Sequence, residues 1–202
     1  MPSAPRGRRV EYAEATRSAI VDAARLLFAQ QGFFATTVDE VAKEARVAPA
    51  TVYAVAGGKQ GLIRTLIDMW STAPIVAETL ARQAELDDPD AILRNAAAAV
   101  RSMREDYGDI MRMVLATAPH NAAVGEDLAI ATKRYRDAIG TLAVRLHEVG
   151  GLRPDMTVQD ATDTLWFFLG YAGYFTLVDD LGWSYDRAEQ WLLRQATAAL
   201  RG

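Results

Sequence analysis

The run from Thr36 to Lys59, TTVDEVAKEARVAPATVYAVAGGK, leaves this chain few folds to choose from. Thr37 stands three residues before Glu40 and directly ahead of the apolar positions Val38, Val41, Ala42 and Ala45. That is the spacing of a capping box, in which the hydroxyl accepts from the amide three residues on and the carboxylate reaches back. A two-turn helix from Val38 to about Ala45 follows. Arg46-Val47-Ala48 forms the connection, and Pro49 suits the first position of a second helix, where its missing N–H costs nothing. That helix is stopped after Ala56 by the pair Gly57-Gly58. Two short helices with a three-residue connection make either a helix-turn-helix, whose second helix enters the DNA major groove, or a plain corner of an all-α core.

The flanks favour the first reading. Arg17 to Gly32 carries Ile20, Ala23, Ala24, Leu27 and Phe28 on one helical stripe, with Gly32 as its stop and Phe33 as an apolar lock. Such a helix would complete a three-helix domain. From these residues the chain resembles the DNA-binding domain of TetR-type transcriptional regulators over roughly residues 12–64. The matching set is Ala23, Phe28, Gly32, Phe33, Thr36, Thr37, Val38, Val41, Ala42, Ala45, Val47, Thr51, Val52, Tyr53, Lys59 and Leu62. Four positions depart from the family pattern. Arg46 fills a turn position where Gly is usual, Ala56 stands for an aromatic, and Gly57-Gly58 replaces a Pro-Ser type of pair. A looser junction with the next helix is the expectation.

Charge agrees once the chain is divided. The net charge of −4 hides a first 60 residues with 8 Lys/Arg against 6 Asp/Glu, and a remainder with 14 against 20. A mildly basic head on an acidic body fits DNA contact at one end. There is no cysteine, so disulfides and thiolate metal sites are excluded. The opening MPSAPRGRR has no apolar core of a signal peptide, and no apolar run is long enough to span a bilayer; a cytoplasmic protein away from membranes is expected.

Beyond Lys59 the pattern is helical throughout, giving an all-α fold: a three-helix helix-turn-helix domain, 1–58, then a C-terminal bundle, 59–202. Helices are expected over Lys59–Thr72, Ile75–Glu85 after Pro74, and Asp88–Tyr107 up to a break at Gly108. Further helices follow over Asp109–Ala118, Ala122–Val149 and Thr157–Val178, with a last one after Ser184. The stretch LWFFLGYAGYFTL is apolar all round and reads as buried on every side. Gly170 and Gly173 would let a partner's backbone come close, so the last two helices are expected to pair two copies as a four-helix bundle. A monomer with these helices as its own core is the alternative. TetR-type proteins are homodimers through their last two helices, so the resemblance implies the dimer.

For the head, phosphate contacts are expected from Thr37, Thr51, Tyr53 and Lys59, and the resemblance assigns that part to the threonine, tyrosine and lysine positions. Arg8 and Arg9, with Arg6, form an N-terminal arm for phosphates or an adjacent minor groove, or else a solvated tail. The outer face of the second helix, Pro49, Ala50, Thr51, Ala54 and Val55, has no Arg, Asn or Gln. It suits thymine methyls, with Arg46 and Lys43 as supplements. The partner is then a double-stranded, palindromic operator.

In the body, Trp70, Met103, Tyr107, Met111, Trp166, Phe167, Tyr171 and Tyr174 are either ordinary core or the lining of a pocket. The resemblance implies the pocket, with a small-molecule effector that alters the spacing of two heads and so releases DNA. A mostly apolar, partly aromatic effector is expected, with His120 and Asn121 as polar contacts. No cofactor or metal is expected: His120 and His147 sit in no metal-ligand spacing, and no nucleophile or phosphate-loop motif occurs. An enzyme is thereby disfavoured. A helical adaptor that binds a protein rather than DNA remains the second class.

Overall fold

A computed structural model describes residues 7–202; residues 1–6, with Arg6 of the expected arm, lie outside it, as do the side chains of Arg8 and Arg9. The described residues are helical without a strand. The helices are α1 Arg8–Ala35, α2 Val38–Glu44, α3 Pro49–Ala56, α4 Gly58–Ser71, α5 Pro74–Ala84, α6 Pro89–Thr117, α7 Ala122–Glu148, α8 Val158–Leu169, α9 Tyr171–Phe175 and α10 Tyr185–Arg201. They fall into two compact units, Met1–Met69 with Asp109–Ala129, and Trp70–Gly108 with Ile130–Gly202. No helix among the described residues is long and apolar enough to cross a membrane.

The first unit is held by the stripe read from the sequence. Ile20, Ala24, Phe28, Val41, Val52, Leu62, Ile63 and Leu66 are all buried. A fully buried Phe or Leu stabilises by about 1.5–3 kcal/mol, so Phe28, ring to ring with Phe33 at 5.4 Å, is one of its anchors. Arg25 bonds both oxygens of Asp109, at 2.7 and 2.8 Å, a forked pair that ties α1 to the end of α6.

One expectation about α1 needs correction. It starts at Arg8, not Arg17, because residues 10–15 are exposed and leave no apolar stripe to read. Gly32 interrupts the helix where the sequence placed its stop: it stands outside the helical region at φ 82°, ψ 163°, and a short further turn runs on to Ala35 across the kink. Only a residue without a Cβ adopts that conformation at little cost.

The second unit centres on Ile92, Leu93, Val100, Leu142, Leu146, Leu165, Leu169, Leu192 and Leu200. Its helix starts follow the local chemistry. Asp88 caps α6 through the amides of Asp90 and Ala91, at 3.1 and 3.2 Å. Thr157 and Asp160 form a capping box on α8, and Ser184 caps α10. Three readings fail here. Gly108 does not break α6, which is continuous from Pro89 to Thr117; one glycine costs a helix only about 1 kcal/mol, which a long amphipathic stripe outweighs. The expected single helix to Val178 breaks at Gly170, restarts as the five residues of α9, and ends in a π-helical turn over Thr176–Asp180. Nor is this stretch buried all round, since Phe167 is 75% exposed.

Candidate nucleic-acid interface

Thr37 and Glu40 form the capping box as the spacing requires. The Glu40 amide donates to the Thr37 hydroxyl at 3.2 Å, and the Thr37 amide and hydroxyl donate to Glu40 Oε2 at 2.7 and 2.8 Å. Those bonds from Thr37 hold the Glu40 carboxyl below its usual range. Behind them, Gln31 donates to both Thr36 Oγ1 and Glu40 Oε2 at 3.3 Å, and the Thr36 hydroxyl donates to Gly32 O at 2.8 Å. The elbow between α1 and α2 is thus a connected polar network rather than a loose loop.

The turn between α2 and α3 ends the first of them with a paired backbone motif. The Val47 amide bonds Ala42 O at 2.9 Å and the Arg46 amide bonds Lys43 O at 3.2 Å, which satisfies two end carbonyls of α2. This geometry needs a left-handed residue in the middle. Arg46 supplies it at φ 56°, and no other non-glycine residue in the described chain has positive φ. The departure noted at this position in the sequence is therefore a strained one.

Pro49 occupies the first turn of α3, and the Ala48 side chain makes no cap. Val52 is the one residue of α3 buried in the domain. Pro49, Ala50 and Ala54 are exposed, Thr51 and Val55 are half-buried, and Tyr53 is 59% exposed. Four of the eight residues of this helix are thus exposed and three half-buried, and those side chains are small, apolar or hydroxylated. The Arg17 guanidinium, from the exposed first half of α1, braces the far end of α3 by donating to Val55 O at 3.3 Å. Sequence reading missed it, because no spacing rule pairs a side chain with a backbone carbonyl of another helix.

The junction from α3 to α4 is tighter than expected, which corrects the looser joint inferred from Gly57-Gly58. Gly57 and Gly58 turn the chain at φ 69° and 77°. A Cβ on Gly58 would lie 2.9 Å from Tyr53 Cε1, and a Cβ on Gly61 would lie 1.6 Å from Ala56 O. The Tyr53 ring rests on one bare backbone and the α3 carboxyl end on another. Gly61 was not singled out by the sequence, since an isolated glycine in a helix announces nothing about its neighbour. Lys59, at the start of α4, turns its ammonium to Thr36 O at 2.8 Å and Phe34 O at 3.3 Å.

The residues expected to meet a ligand divide between the units. In the second, the Tyr135, Trp166 and Tyr171 rings stand edge-on to one another with centroids 5.4–5.8 Å apart. The buried Arg104 guanidinium lies 5.2 Å from the Tyr171 ring and 5.6 Å from that of Tyr135. Trp70 is buried and its indole is near the Tyr171 hydroxyl, which burial pushes to a higher pKa. Tyr174 is buried and faces the Tyr185 ring of α10. Burial pushes its phenol up as well. Met103 is buried and Tyr107 half-buried, whereas Phe167 points outward. Met111 and His120 belong to the first unit, one buried and the other exposed on a 3-10 turn. There His120, Thr117 and Met113 line a cleft of about 750 Å³ with Phe28, Phe33 and Phe34. Asn121 is a cap: its Oδ1 accepts from the Val124 amide at 3.2 Å.

Arg104 and Tyr135 also share a task. Both donate to Leu169 O, the carbonyl freed where α8 breaks. Arg104 was legible in principle: it falls four residues after Val100 and seven after Ala97, on the buried stripe of α6. The glycine reading is also revised in part. A Cβ on Gly173 would lie 3.2 Å from Phe168 O and 3.5 Å from Leu192 Cδ2, both of the same chain.

A capped first helix, a tight turn and a second helix with one exposed face define a helix-turn-helix. Residues 20–66 match the family model of the bacterial regulatory proteins, tetR family. No curated protein matches the chain in sequence. Solved structures match over most of its length. The SmeT–triclosan complex is 20% identical, covering 93% of this chain and 92% of that one with a TM-score of 0.77. NalD, the secondary repressor of the MexAB-OprM multidrug efflux pump in Pseudomonas aeruginosa, is 22% identical over 95% and 98%, with a TM-score of 0.77. The fatty acid degradation regulator FadR from Bacillus halodurans is 15% identical over 96% and 97%, with a TM-score of 0.74. At these identities the likeness establishes a common fold.

Proposed function

We propose that this chain is a sequence-specific, DNA-binding repressor that works as a homodimer and leaves its operator when a small molecule binds in the C-terminal domain. The observation that carries the reading is the outward face of α3, with Val52 alone anchoring it. In this reading residues 1–58 contact DNA and residues 59–202 pair the copies and bind the effector. Thr37 at the start of α2 and Tyr53 and Thr51 on α3 bond phosphates, which fix register without reading sequence. Pro49, Ala50, Ala54 and Val55 contact thymine methyls, with Arg46 beside them and Arg8 and Arg9 following the backbone.

The exposed Phe167 on α8, with α10 packed against that helix, supports pairing of the last helices across a two-fold axis. Two heads then read two half-sites of a palindrome. The Tyr135–Trp166–Tyr171 cluster beside Trp70 supports an aromatic effector. SmeT has been solved with triclosan, and NalD is described as a repressor; both share this fold and support the same arrangement. Repression and release require that the effector favour the conformation that does not fit DNA.

Selection of bound duplexes from a random pool tests the reading. A palindromic consensus is expected, retarded by the chain with affinity falling steeply as salt rises. Replacing thymine by uracil within the half-sites should weaken it. No enrichment, or retardation indifferent to sequence, favours the adaptor and refutes the proposal.

A further inference from the structure

Lys59 occupies a position where a phosphate contact was expected, yet its ammonium is already committed. It donates to Thr36 O at 2.8 Å and to Phe34 O at 3.3 Å, and it stands 4.5 Å from the centroid of the Phe33 ring. An ammonium has three protons and no lone pair. Two carbonyls and a π face take all three directions, and a phosphate oxygen would have to displace one of them.

The groups it holds form one place in the fold. Phe33 and Phe34 lie in the last turn of α1, beyond the Gly32 bend, where helix carbonyls have no intrahelical partner. Thr36 precedes the α2 cap directly. The network of Gln31, Thr36 and Glu40 fastens the inner side of this elbow, and Lys59 fastens it to α4. Burial lowers the Lys59 pKa while Glu40 opposes the shift, as for a cation withdrawn from solvent beside a carboxylate.

We infer that Lys59 is a positioning residue: it locks the α1–α2 elbow to the start of α4 and so sets where the amino end of α2 meets DNA, without bonding a phosphate itself. The inference rests on the DNA-binding reading for its consequence, but the lock exists in the free protein. A movement of α4 is thereby passed to Thr37 through one side chain, within the first unit.

Salt dependence separates the two roles. A lost phosphate contact reduces the slope of log Kobs against log[salt] by about 0.9, whereas a displaced α2 weakens binding and leaves the slope nearly unchanged. The experiment uses the full chain, the selected operator, and the variants Lys59→Met and Lys59→Arg. For Lys59→Met we expect weaker binding to every duplex, an unchanged slope, and faster amide exchange over residues 34–38 without DNA. Lys59→Arg keeps the charge but not the compact three-proton head, and is expected to weaken binding as well. If Lys59→Met does not fold, Lys59→Arg carries the test through operator affinity and amide exchange at the elbow. A slope reduced by about one unit overturns the inference, as does unaltered exchange at the elbow or wild-type affinity in Lys59→Arg. Should the wild type bind no duplex, the DNA reading fails, and the exchange measurement still decides whether the lock exists.

Discussion

Gly61→Ala is a small substitution with a large expected effect. A Cβ there would sit 1.6 Å from Ala56 O and 2.8 Å from Ala56 C. Ordinary carbon–oxygen contacts are at least about 3.2 Å, so the α3 carbonyl end must retreat by roughly 1.5 Å or the first turn of α4 must open. Overpacking of this kind costs about 1–3 kcal/mol, and a backbone atom, unlike a side-chain tip, cannot rotate away. We expect the upper end, about 3 kcal/mol, against total stabilities of about 5–15 kcal/mol for domains of this kind. Gly140 in α7 is the control. A Cβ there meets nothing within 4 Å, so Gly140→Ala should gain about 0.5–1 kcal/mol from helix propensity alone. Urea unfolding of the three proteins gives both signs in one experiment. Operator affinity should fall in Gly61→Ala with the salt slope preserved, since α3 is tilted and no phosphate contact is deleted. Equal stabilisation in both variants would refute the packing argument outright.

Other perturbations test other parts of the head and body. Arg46→Gly should stabilise by about 1 kcal/mol, because the left-handed conformation at φ 56° costs a residue with a Cβ about 1–2 kcal/mol and glycine almost nothing; a lower denaturation midpoint would contradict this. The Glu40 and Asp160 carboxyls are held below 4.5 and 3.8 respectively by bonds from Thr37 and Thr157. Their contribution is therefore complete above those values and lost as pH falls through the lowered ones. Thr37→Ala should flatten the acid limb of the stability–pH profile, and an unchanged limb would remove Glu40 from the account. Tyr135→Phe deletes one of two donors to Leu169 O. Amide exchange across Gly170–Leu181 should quicken, while equal exchange rates would leave the helix break without its latch.

How much of this was open to a reader of the sequence follows from the range of each interaction. Caps and stops are local, so Thr37, Pro49, Asp88, Thr157 and Ser184 marked their helix ends from residue type and spacing. Stripes are local too, and α4, α5 and α7 came within a residue or two of their bounds. Failures occurred where an exposed segment had no stripe, as at residues 10–15, or where a breaker was outvoted by its neighbours, as Gly108 was. The candidate site divides in the same way. The outward residues of α3 follow from the helix-turn-helix pattern once Val52 is assigned to the core. Gly61, Lys59 and Arg17 act through carbonyls of other elements, at Ala56, Thr36 and Val55, and no spacing rule pairs a side chain with a distant backbone atom.

That division bears on how specificity arises in this head. Side chains that touch DNA through methyls and hydroxyls discriminate weakly one at a time, whereas a bidentate Arg or Asn would be worth about 1–3 kcal/mol per base. A reader with so few polar groups must place its helix accurately to add small contacts together. The close fit at Gly61, the Arg17 brace on Val55 O and the Lys59 lock all constrain the ends of α2 and α3 rather than their outer surfaces. If α3 reads DNA as proposed, accuracy of placement substitutes for hydrogen-bonded base readout. On this argument, Arg17→Met, which touches no base in the proposed pose, should broaden the selected consensus more than Ala50→Gly on the contacting face. The reverse order in parallel duplex selections would return specificity to the surface of α3.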